Sequence, residues 1–167
     1  KSLLDLSALE IEGAKRQTPV DLTDLMASLI PDYRFLAEAR RIQIHVRLPE
    51  KLLVNGDAEL LKRAFSNLLD NAVKYNVDGG MIDVAGTASA AEIKIIFGNT
   101  GAGIPEEEFS KVFEVFYRVE ASRSLRYGGS GLGLAIVKRI VELHGGSVEF
   151  ESRQGVRTQI TVSLPLS

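Results

Sequence analysis

A glycine-rich run that leads directly into an apolar helix constrains the fold more than any other feature of the chain. Residues 128–133 hold four glycines, and residues 131–144 read as a helix that is apolar nearly all round. Such a helix is usually buried, and Gly145 with Gly146 is typical of a helix end. A helix N-terminus presents free amides and the positive end of the helix dipole, so it attracts phosphate. Taken alone, the run fits a plain glycine linker equally well.

The run differs from the two common phosphate-binding motifs. No Gly-Lys-Ser/Thr follows it at the spacing of a P-loop, and no strand precedes it directly, as the dinucleotide fingerprint requires. The polar segment before it, about residues 119–130, shows no periodicity. We therefore expect that segment to be a mobile loop through which a ligand enters and leaves.

Composition narrows the class of protein. A length of 167 residues suits one domain with a real core, and a net charge of -2 does not indicate nucleic-acid binding, so we expect no nucleic-acid partner. The chain has no cysteine, which excludes disulfides and thiolate metal sites and fits the cytosol. Because it begins at Lys1 rather than Met, we expect a piece of a longer protein. We expect a cytoplasmic domain and leave open a membrane anchor elsewhere in that protein.

Helical and strand patterns are mixed along the chain. Asp21 and Asp57 are placed to cap helices of about residues 21–40 and 57–75, and Pro31 is expected to interrupt the first. Two more helices are predicted at about 105–115 and 131–144, and strands at 43–48, 81–87, 92–97, 147–152 and 156–164. Residues 98–103 are predicted to form a loop. This order indicates an α+β fold, a sheet covered by helices.

An unusual polar stripe follows one side of the helix at residues 57–75. Asn67, Asn71 and Lys74 are spaced at i, i+4 and i+7, which places them on one face. Asparagine is unfavourable inside helices because its side chain competes for backbone hydrogen bonds. An amide oxygen suits Mg²⁺, and a lysine one turn away can reach the same phosphates. The stripe alone also fits a solvated polar face.

A second glycine segment, residues 99–105, follows an apolar strand. Glycines there permit close approach of the backbone to a flat ligand or a tight turn, and a plain strand-to-helix turn is the alternative. The two histidines, His45 and His144, have no plausible triad or metal neighbour in sequence. We interpret both as structural, with His144 placed to interact with a helix C-terminus.

Five segments in this order resemble the ATP-binding domain of histidine kinases, in the superfamily shared with type II topoisomerases, a heat-shock chaperone and mismatch-repair ATPases. The segments resemble the N box at residues 67–75, the first glycine box at 99–105, the F box at 113–118, the second glycine box at 129–134 and the terminal threonine motif at 155–158. The resemblance extends from about residue 19 to 165. It implies a two-layer α/β sandwich of the Bergerat type, with a mixed, mostly antiparallel sheet covered by helices on one face.

The same resemblance implies a domain organisation. Residues 1–13 resemble the C-terminal end of the helical dimerisation and phosphoacceptor domain, and residues 14–167 the catalytic domain, with an ATP lid at about 119–130.

It also implies a role for each matched residue, with ATP and Mg²⁺ as cofactors. Asn71 would ligate Mg²⁺ with Asn67 supporting it, Lys74 would contact phosphate, and Tyr75 would line the nucleotide site. The other implied contacts are Asn99, Gly101, Gly103, Ile104 and Thr158 around the adenine, Arg118, Arg123 and Arg126 toward the γ-phosphate, and Gly129, Gly131, Leu132 and Gly133 at the lid hinge and the phosphate-facing helix.

One position departs from the family pattern. The first glycine box usually begins with an aspartate that accepts a hydrogen bond from the exocyclic amine of adenine, and here the residue is Asn99. Its amide can still accept through oxygen, more weakly than a carboxylate, or flip and offer a donor.

The resemblance favours transfer of the γ-phosphoryl group of ATP to a histidine, which lies in a helical domain outside this chain. It implies a response regulator downstream and a homodimer in the full-length protein. Hydrolytic relatives carry a glutamate base where this chain has Asn67, which argues against hydrolysis as the main task. A serine kinase or anti-sigma relative is a further alternative. A degenerate module with weak or no ATP binding is another, and Asn99 is its support.

Overall fold

The computed structural model describes residues 17–101, 133–153 and 155–166. The helices in this part of the chain are α1 (Leu22–Glu38), α2 (Ala58–Lys74) and α3 (Gly133–Leu143). The strands are β1 (Thr18–Asp21), β2 (Gln43–Arg47), β3 (Leu53–Gly56), β4 (Met81–Ala88), β5 (Glu92–Thr100), β6 (Ser147–Arg153) and β7 (Arg157–Pro165). None of these helices has both the length and the apolar character that crossing a bilayer requires.

A five-stranded sheet has the order β2-β4-β5-β7-β6, and β1 pairs with β3 in a separate two-stranded sheet. The β2–β4 pair is parallel, whereas the other pairs of the large sheet are antiparallel. The helices cover one face of this sheet, so the predicted α+β architecture with a mixed, mostly antiparallel sheet is confirmed.

The core lies between that face and the three helices. Alternate residues of the central strands are buried, and Ile82, Ile95 and Val162 are at most 1% exposed. The central helix α2 packs against α1 on one side and α3 on the other. Its amphipathic pattern leaves Phe65 fully buried, tilted against Phe97 of β5 with ring centroids 5.7 Å apart. Burial therefore holds α2, which carries the asparagine stripe, firmly against the sheet.

Both predicted helix caps are confirmed. The Asp21 carboxylate accepts from the amide of Thr23 at 3.0 Å and also from Leu52 N at 3.1 Å. The Asp57 carboxylate accepts from the amides of Glu59 and Leu60 at 3.1 and 3.2 Å. Each cap satisfies amides that have no partner inside their own helix.

The prediction that Pro31 interrupts the first helix was wrong. Helix α1 runs through Pro31 to Glu38, and the proline is exposed. The proline removes one backbone hydrogen bond, but Ile30 and Tyr33 beside it are buried in the core. Tertiary packing on both sides of the proline therefore outweighs the local penalty.

The structure also extends one predicted strand and adds two short strands that the sequence did not predict. Strand β5 continues to Thr100, so residues 98–100 belong to the sheet and not to the predicted loop. The four-residue strands β1 and β3 were not predicted, because segments that short carry little periodic signal. The segment at 1–13 that resembles the end of a helical domain, the predicted helix at 105–115 and the lid at 119–130 lie outside the described residues.

Candidate functional site

The asparagine stripe of α2 passes from the core to the surface. Asn67 is 3% exposed, Asn71 and Lys74 are half-buried, and Tyr75 is 42% exposed. The Nδ2 of Asn67 is a buried donor for which the described part of the chain provides no acceptor. A buried amide without a partner is costly, so it points to a group that this face of α2 accommodates.

The stripe meets the beginning of α3. A Cβ placed on Gly133 would lie 4.0 Å from Asn71 Oδ1, and α2 packs along α3. The first amides of a helix have no partner within it and carry partial positive charge. The structure thus brings together an amide oxygen, a lysine on the same face and a helix N-terminus, which is a suitable environment for a phosphate and its cation.

These residues fit Mg²⁺ held jointly with phosphate. Mg²⁺ prefers oxygen ligands and usually keeps several waters and substrate oxygens, so a single amide oxygen from the protein is a sufficient anchor. In the described ranges, no group of three or more His, Cys, Asp or Glu side chains is arranged to hold a metal. The unpartnered Asn67 Nδ2 lies one turn before Asn71 on the same face of α2.

Asn99 and Thr158, which the resemblance places near adenine, are direct partners across the β5–β7 ladder. Directly paired residues in an antiparallel ladder present their side chains on the same face. For both residues this is the helix-covered face, since Phe97 and Ile160 next along each strand on that face are buried. The side chains of Asn99 and Thr158 therefore lie next to each other near the end of β5.

Gly101 holds this end of β5 close to the end of α2. Its φ is +153°, and a Cβ there would lie 2.5 Å from the carbonyl oxygen of Tyr75. Only glycine allows both this conformation and this approach. The segments that carry Tyr75 and Asn99 are thus in direct backbone contact.

The side-chain amide of Asn99 has a defined orientation. Its Nδ2 donates to the backbone oxygen of Thr100 at 2.8 Å. A carbonyl oxygen can only accept, so the NH₂ group must face it and Oδ1 is the atom left to accept from another group. Of the two orientations considered from the sequence, the structure has the one that offers an acceptor.

Sequence reasoning missed Arg40, which closes the C-terminal end of α2. Its guanidinium donates to the carbonyl oxygens of Val73 and Asn76, the latter at 2.8 Å, and to Asp78 Oδ1 at 2.8 Å. An arginine beyond the end of one helix gives no local sign that it binds the end of another. Asn76 and Thr100, also missed, lie in the same region.

Both histidines have structural contacts. The Nε2 of His144 accepts from Asp57 N at 3.0 Å, and its Nδ1 lies 2.7 Å from Ile140 O. His45 is half-exposed and 3.7 Å from Asp83 on the neighbouring strand. The prediction that His144 interacts with the end of its own helix is confirmed.

Several predicted site residues lie outside the described residues: Gly103, Ile104, Arg118, Arg123, Arg126, Gly129, Gly131 and Leu132. Their placement stays a prediction from the sequence.

Comparison of this chain with known proteins identifies the family to which it is similar. A family model described as histidine kinase-, DNA gyrase B-, and HSP90-like ATPase matches residues 56–167. The sensor-like histidine kinase SenX3 of Mycobacterium bovis is 36% identical over 166 residues, which are 98% of this chain and 40% of SenX3. This chain therefore spans about two fifths of the length of that curated relative.

Solved structures agree with the family match. The mycobacterial sensor histidine kinase MprB is 35% identical, with a TM-score of 0.80 over 89% of this chain and 97% of the MprB chain. Full-length ShkA, solved in complex with AMPPNP, shares the fold at 24% identity, with a TM-score of 0.85 over 99% of this chain and 34% of ShkA. The chain therefore belongs to the histidine kinase-, DNA gyrase B-, and HSP90-like ATPase family, and within it to the ATP-binding catalytic domains of sensor histidine kinases.

Proposed function

We propose that this domain binds ATP with Mg²⁺ between the asparagine stripe of α2 and the start of α3, and that it transfers the γ-phosphoryl group to a histidine outside this chain. The observation that carries the proposal is the approach of Asn71 Oδ1 to Gly133 at the first turn of α3. It brings a magnesium-type ligand and an anion-attracting helix end to one place.

At the phosphate end, Asn71 contributes an amide oxygen to the metal, and the buried Asn67 donates its otherwise unpartnered NH₂ to the same assembly. Lys74, one turn further, provides a mobile positive charge for phosphate oxygens. Bound Mg²⁺ would neutralise charge that develops on the transferred group. Gly133 and the amides after it stabilise phosphate through the helix dipole.

At the adenine end, Asn99 offers Oδ1 to the exocyclic amine, because its NH₂ is already bound to Thr100 O. Thr158 lies beside it on the neighbouring strand, and the half-exposed ring of Tyr75 forms the rim. Gly101 lets the end of β5 approach the backbone of Tyr75, which keeps Asn99 and Tyr75 close together. The site thus presents an acceptor, which favours the exocyclic amine of adenine over the ring carbonyl that guanine carries at the same position.

The remaining roles rest on the family resemblance. We propose that Arg118 and the lid residues Arg123 and Arg126 reach the γ-phosphate. Gly103 and Ile104 complete the adenine pocket, and Gly129, Gly131 and Leu132 hinge the lid. The acceptor histidine belongs to the dimerisation domain of the full-length homodimer, and a response regulator receives the phosphoryl group.

Calorimetric titration with ATP tests the binding step, with and without Mg²⁺. For Asn71→Ala we expect Mg²⁺-dependent affinity to fall about tenfold or more, while affinity in EDTA changes little, since the variant removes a metal ligand. Asn55→Ala is the matched control, because Asn55 is an exposed asparagine of β3. A parent domain that fails to bind millimolar ATP would favour the degenerate module, and an unchanged Mg²⁺ dependence in Asn71→Ala would remove Asn71 as the ligand.

Phosphoryl transfer has its own test. The domain is mixed with the histidine-bearing helical domain of its own protein and labelled ATP, and we expect acid-labile phosphate on the helical domain. Tight ATP binding without such phosphate would contradict the transfer step alone.

A further inference from the structure

The turn that follows α2 contains a buried asparagine that the nucleotide site, as described above, does not use. Asn76 is 4% exposed. Its Nδ2 donates to Met81 O at 3.0 Å, and its Oδ1 accepts from Val77 N at 2.8 Å and from the Thr100 hydroxyl at 2.6 Å. These partners fix the orientation of the amide and leave little freedom to the side chain.

The Thr100 hydroxyl completes the arrangement. It accepts from Met81 N at 2.9 Å and donates its proton to Asn76 Oδ1. The backbone ladder between β4 and β5 has its last pair at Ile82 and Asn99. On the β5 side of Met81, the amide and the carbonyl are therefore bound by two side chains in place of the backbone of β5.

Gly80 shows how tightly this group is packed. A Cβ at this position would overlap Asn76 Oδ1 and Thr100 Oγ1 well inside van der Waals contact. The main chain passes directly over the hydrogen bond between these two side chains. A methyl group at residue 80 would therefore force them apart.

The two side chains connect the two ends of the nucleotide site. Asn76 directly follows Tyr75 at the end of the stripe that includes Lys74, and Thr100 lies between Asn99 and Gly101. We propose that this pair, the Asn76–Thr100 clasp, positions the adenine end relative to the phosphate end, so that one nucleotide can bind both. Neither residue contacts the ligand in this scheme, and the inference rests on the proposed function.

The test separates positioning from binding at either end. We would measure the affinity of Thr100→Val and Thr100→Ser for Mg-ATP by calorimetry, and for adenosine and Mg-tripolyphosphate by NMR shift titration. Valine removes the hydroxyl and serine keeps it. We expect Thr100→Val to weaken ATP binding about five- to tenfold while each fragment binds as in the parent, because only ATP needs both ends in register. Thr100→Ser should retain parental affinity.

Tyr33→Phe is the matched control for stability, since it removes a hydroxyl that bonds Ser66 and Asp70 where α1 packs on α2, and its ATP affinity should be unchanged. Gly80→Ala is the second variant, and its methyl group would separate the clasp without altering either member, while also meeting Val77 O at 2.9 Å. When folded, it should reproduce the loss for ATP alone even if Thr100→Val does not fold.

The outcomes distinguish this inference from the function on which it rests. Parental ATP affinity in folded Thr100→Val or Gly80→Ala overturns the clasp and leaves the proposed function standing. Equal losses for ATP and for either fragment also overturn it, because they indicate damage to one end. A parent that binds neither ATP nor the fragments overturns the proposed function and the clasp together.

Discussion

At the residue scale, the environment of Asn99 explains why an amide occupies a position that is usually a carboxylate in this family. Nδ2 of Asn99 donates to Thr100 O at 2.8 Å, and a Cβ on Gly101 would lie 3.5 Å from the same nitrogen. A carboxylate in this geometry would direct one of its oxygens at a carbonyl oxygen. The asparagine is therefore matched to its local backbone and still presents an acceptor.

We accordingly expect Asn99→Asp to bind ATP no more tightly than the parent. The variant loses one hydrogen bond and places two acceptors in contact, so its free energy of unfolding should fall by about 1–2 kcal/mol. Calorimetry gives the affinity and urea unfolding gives the stability. Tighter ATP binding with undiminished stability would show that the amide orientation does not control this position.

Tyr33 provides a second prediction at this scale, through pH. Its phenol oxygen lies 2.7 Å from Ser66 Oγ and 2.8 Å from Asp70 Oδ1. Burial, with a smaller contribution from Asp70, raises the pKa of Tyr33 from 10.0 to about 12. Well below pH 10 the phenol is protonated in both the folded and the unfolded chain, so its contribution to stability is complete.

Between pH 10 and about 12 the unfolded chain releases this proton while the folded chain retains it, so the free energy of unfolding should decrease. Tyr33→Phe should lack this part of the decrease, because the other titrating groups are common to both proteins. Urea unfolding from pH 9 to 11.5 measures the difference, and parallel pH profiles for the two proteins would contradict it.

At the element scale, the C-terminal end of α2 is held by Arg40 from beyond the end of α1. The guanidinium donates to the backbone carbonyls of Val73, in the last turn of α2, and of Asn76, in the turn that follows, and to the exposed carboxylate of Asp78. The backbone oxygen of Arg40 also accepts from Gly79 N at 2.9 Å. One residue thus fixes the turn at which the asparagine stripe ends and the clasp begins.

The hydrogen bonds from Arg40 to the two carbonyls should stabilise the fold more than its ion pair with Asp78. We expect Arg40→Ala to lower the free energy of unfolding by about 1–3 kcal/mol, because it removes the charged donor from two part-buried carbonyls. Asp78→Asn should lower it by less than about 1 kcal/mol, since an ion pair with one exposed partner contributes little. Urea unfolding of both variants measures the two decreases in the free energy of unfolding. Equal decreases would assign the stabilisation to the ion pair.

Sequence patterns predicted elements better than they predicted connections between elements. The helix caps at Asp21 and Asp57 were found because a cap is a local signal that precedes an apolar period. The sequence predicted the end of β5 too early. Gly98 and Asn99 are poor strand formers, and only their pairing with β4 and β7 holds them in the sheet. The reach of Arg40 across 33 residues to Val73 has no local pattern at all.

At the scale of the whole molecule, the residues of the candidate site come from segments far apart in the chain. Asn99 meets Thr158 only because β7 returns beside β5, and Asn71 meets Gly133 only because α3 packs along α2. Periodicity cannot specify such pairings, so the sequence indicated the site through the order of its motifs. Three other residues hold the site in place in the fold. Arg40 and Asn76 lie outside those motifs, and Thr100 lies within the first glycine box, between Asn99 and Gly101.

His144 shows the same dependence on the whole fold. It donates through Nδ1 to Ile140 O within its own helix, and accepts through Nε2 from Asp57 N at the start of α2. Both roles require the neutral ring with its proton on Nδ1. The C-terminal end of α3 and the N-terminal end of α2 are therefore joined by one side chain, at the opposite end of α2 from the clasp.

We expect His144→Ala to lower the free energy of unfolding by about 1–3 kcal/mol, because Asp57 N loses its acceptor. His144→Gln should lose less, since its amide oxygen can occupy the position of Nε2. Gly56 sharpens the test, because a Cβ there would lie 2.6 Å from His144 Cδ2. Gly56→Ala should therefore destabilise the parent more than it destabilises His144→Ala, whose ring is absent. A double-mutant cycle by urea unfolding measures this coupling. If the decreases in the free energy of unfolding are additive, the imidazole ring does not hold the two helix ends together. In that case α3 is fixed by its apolar face alone.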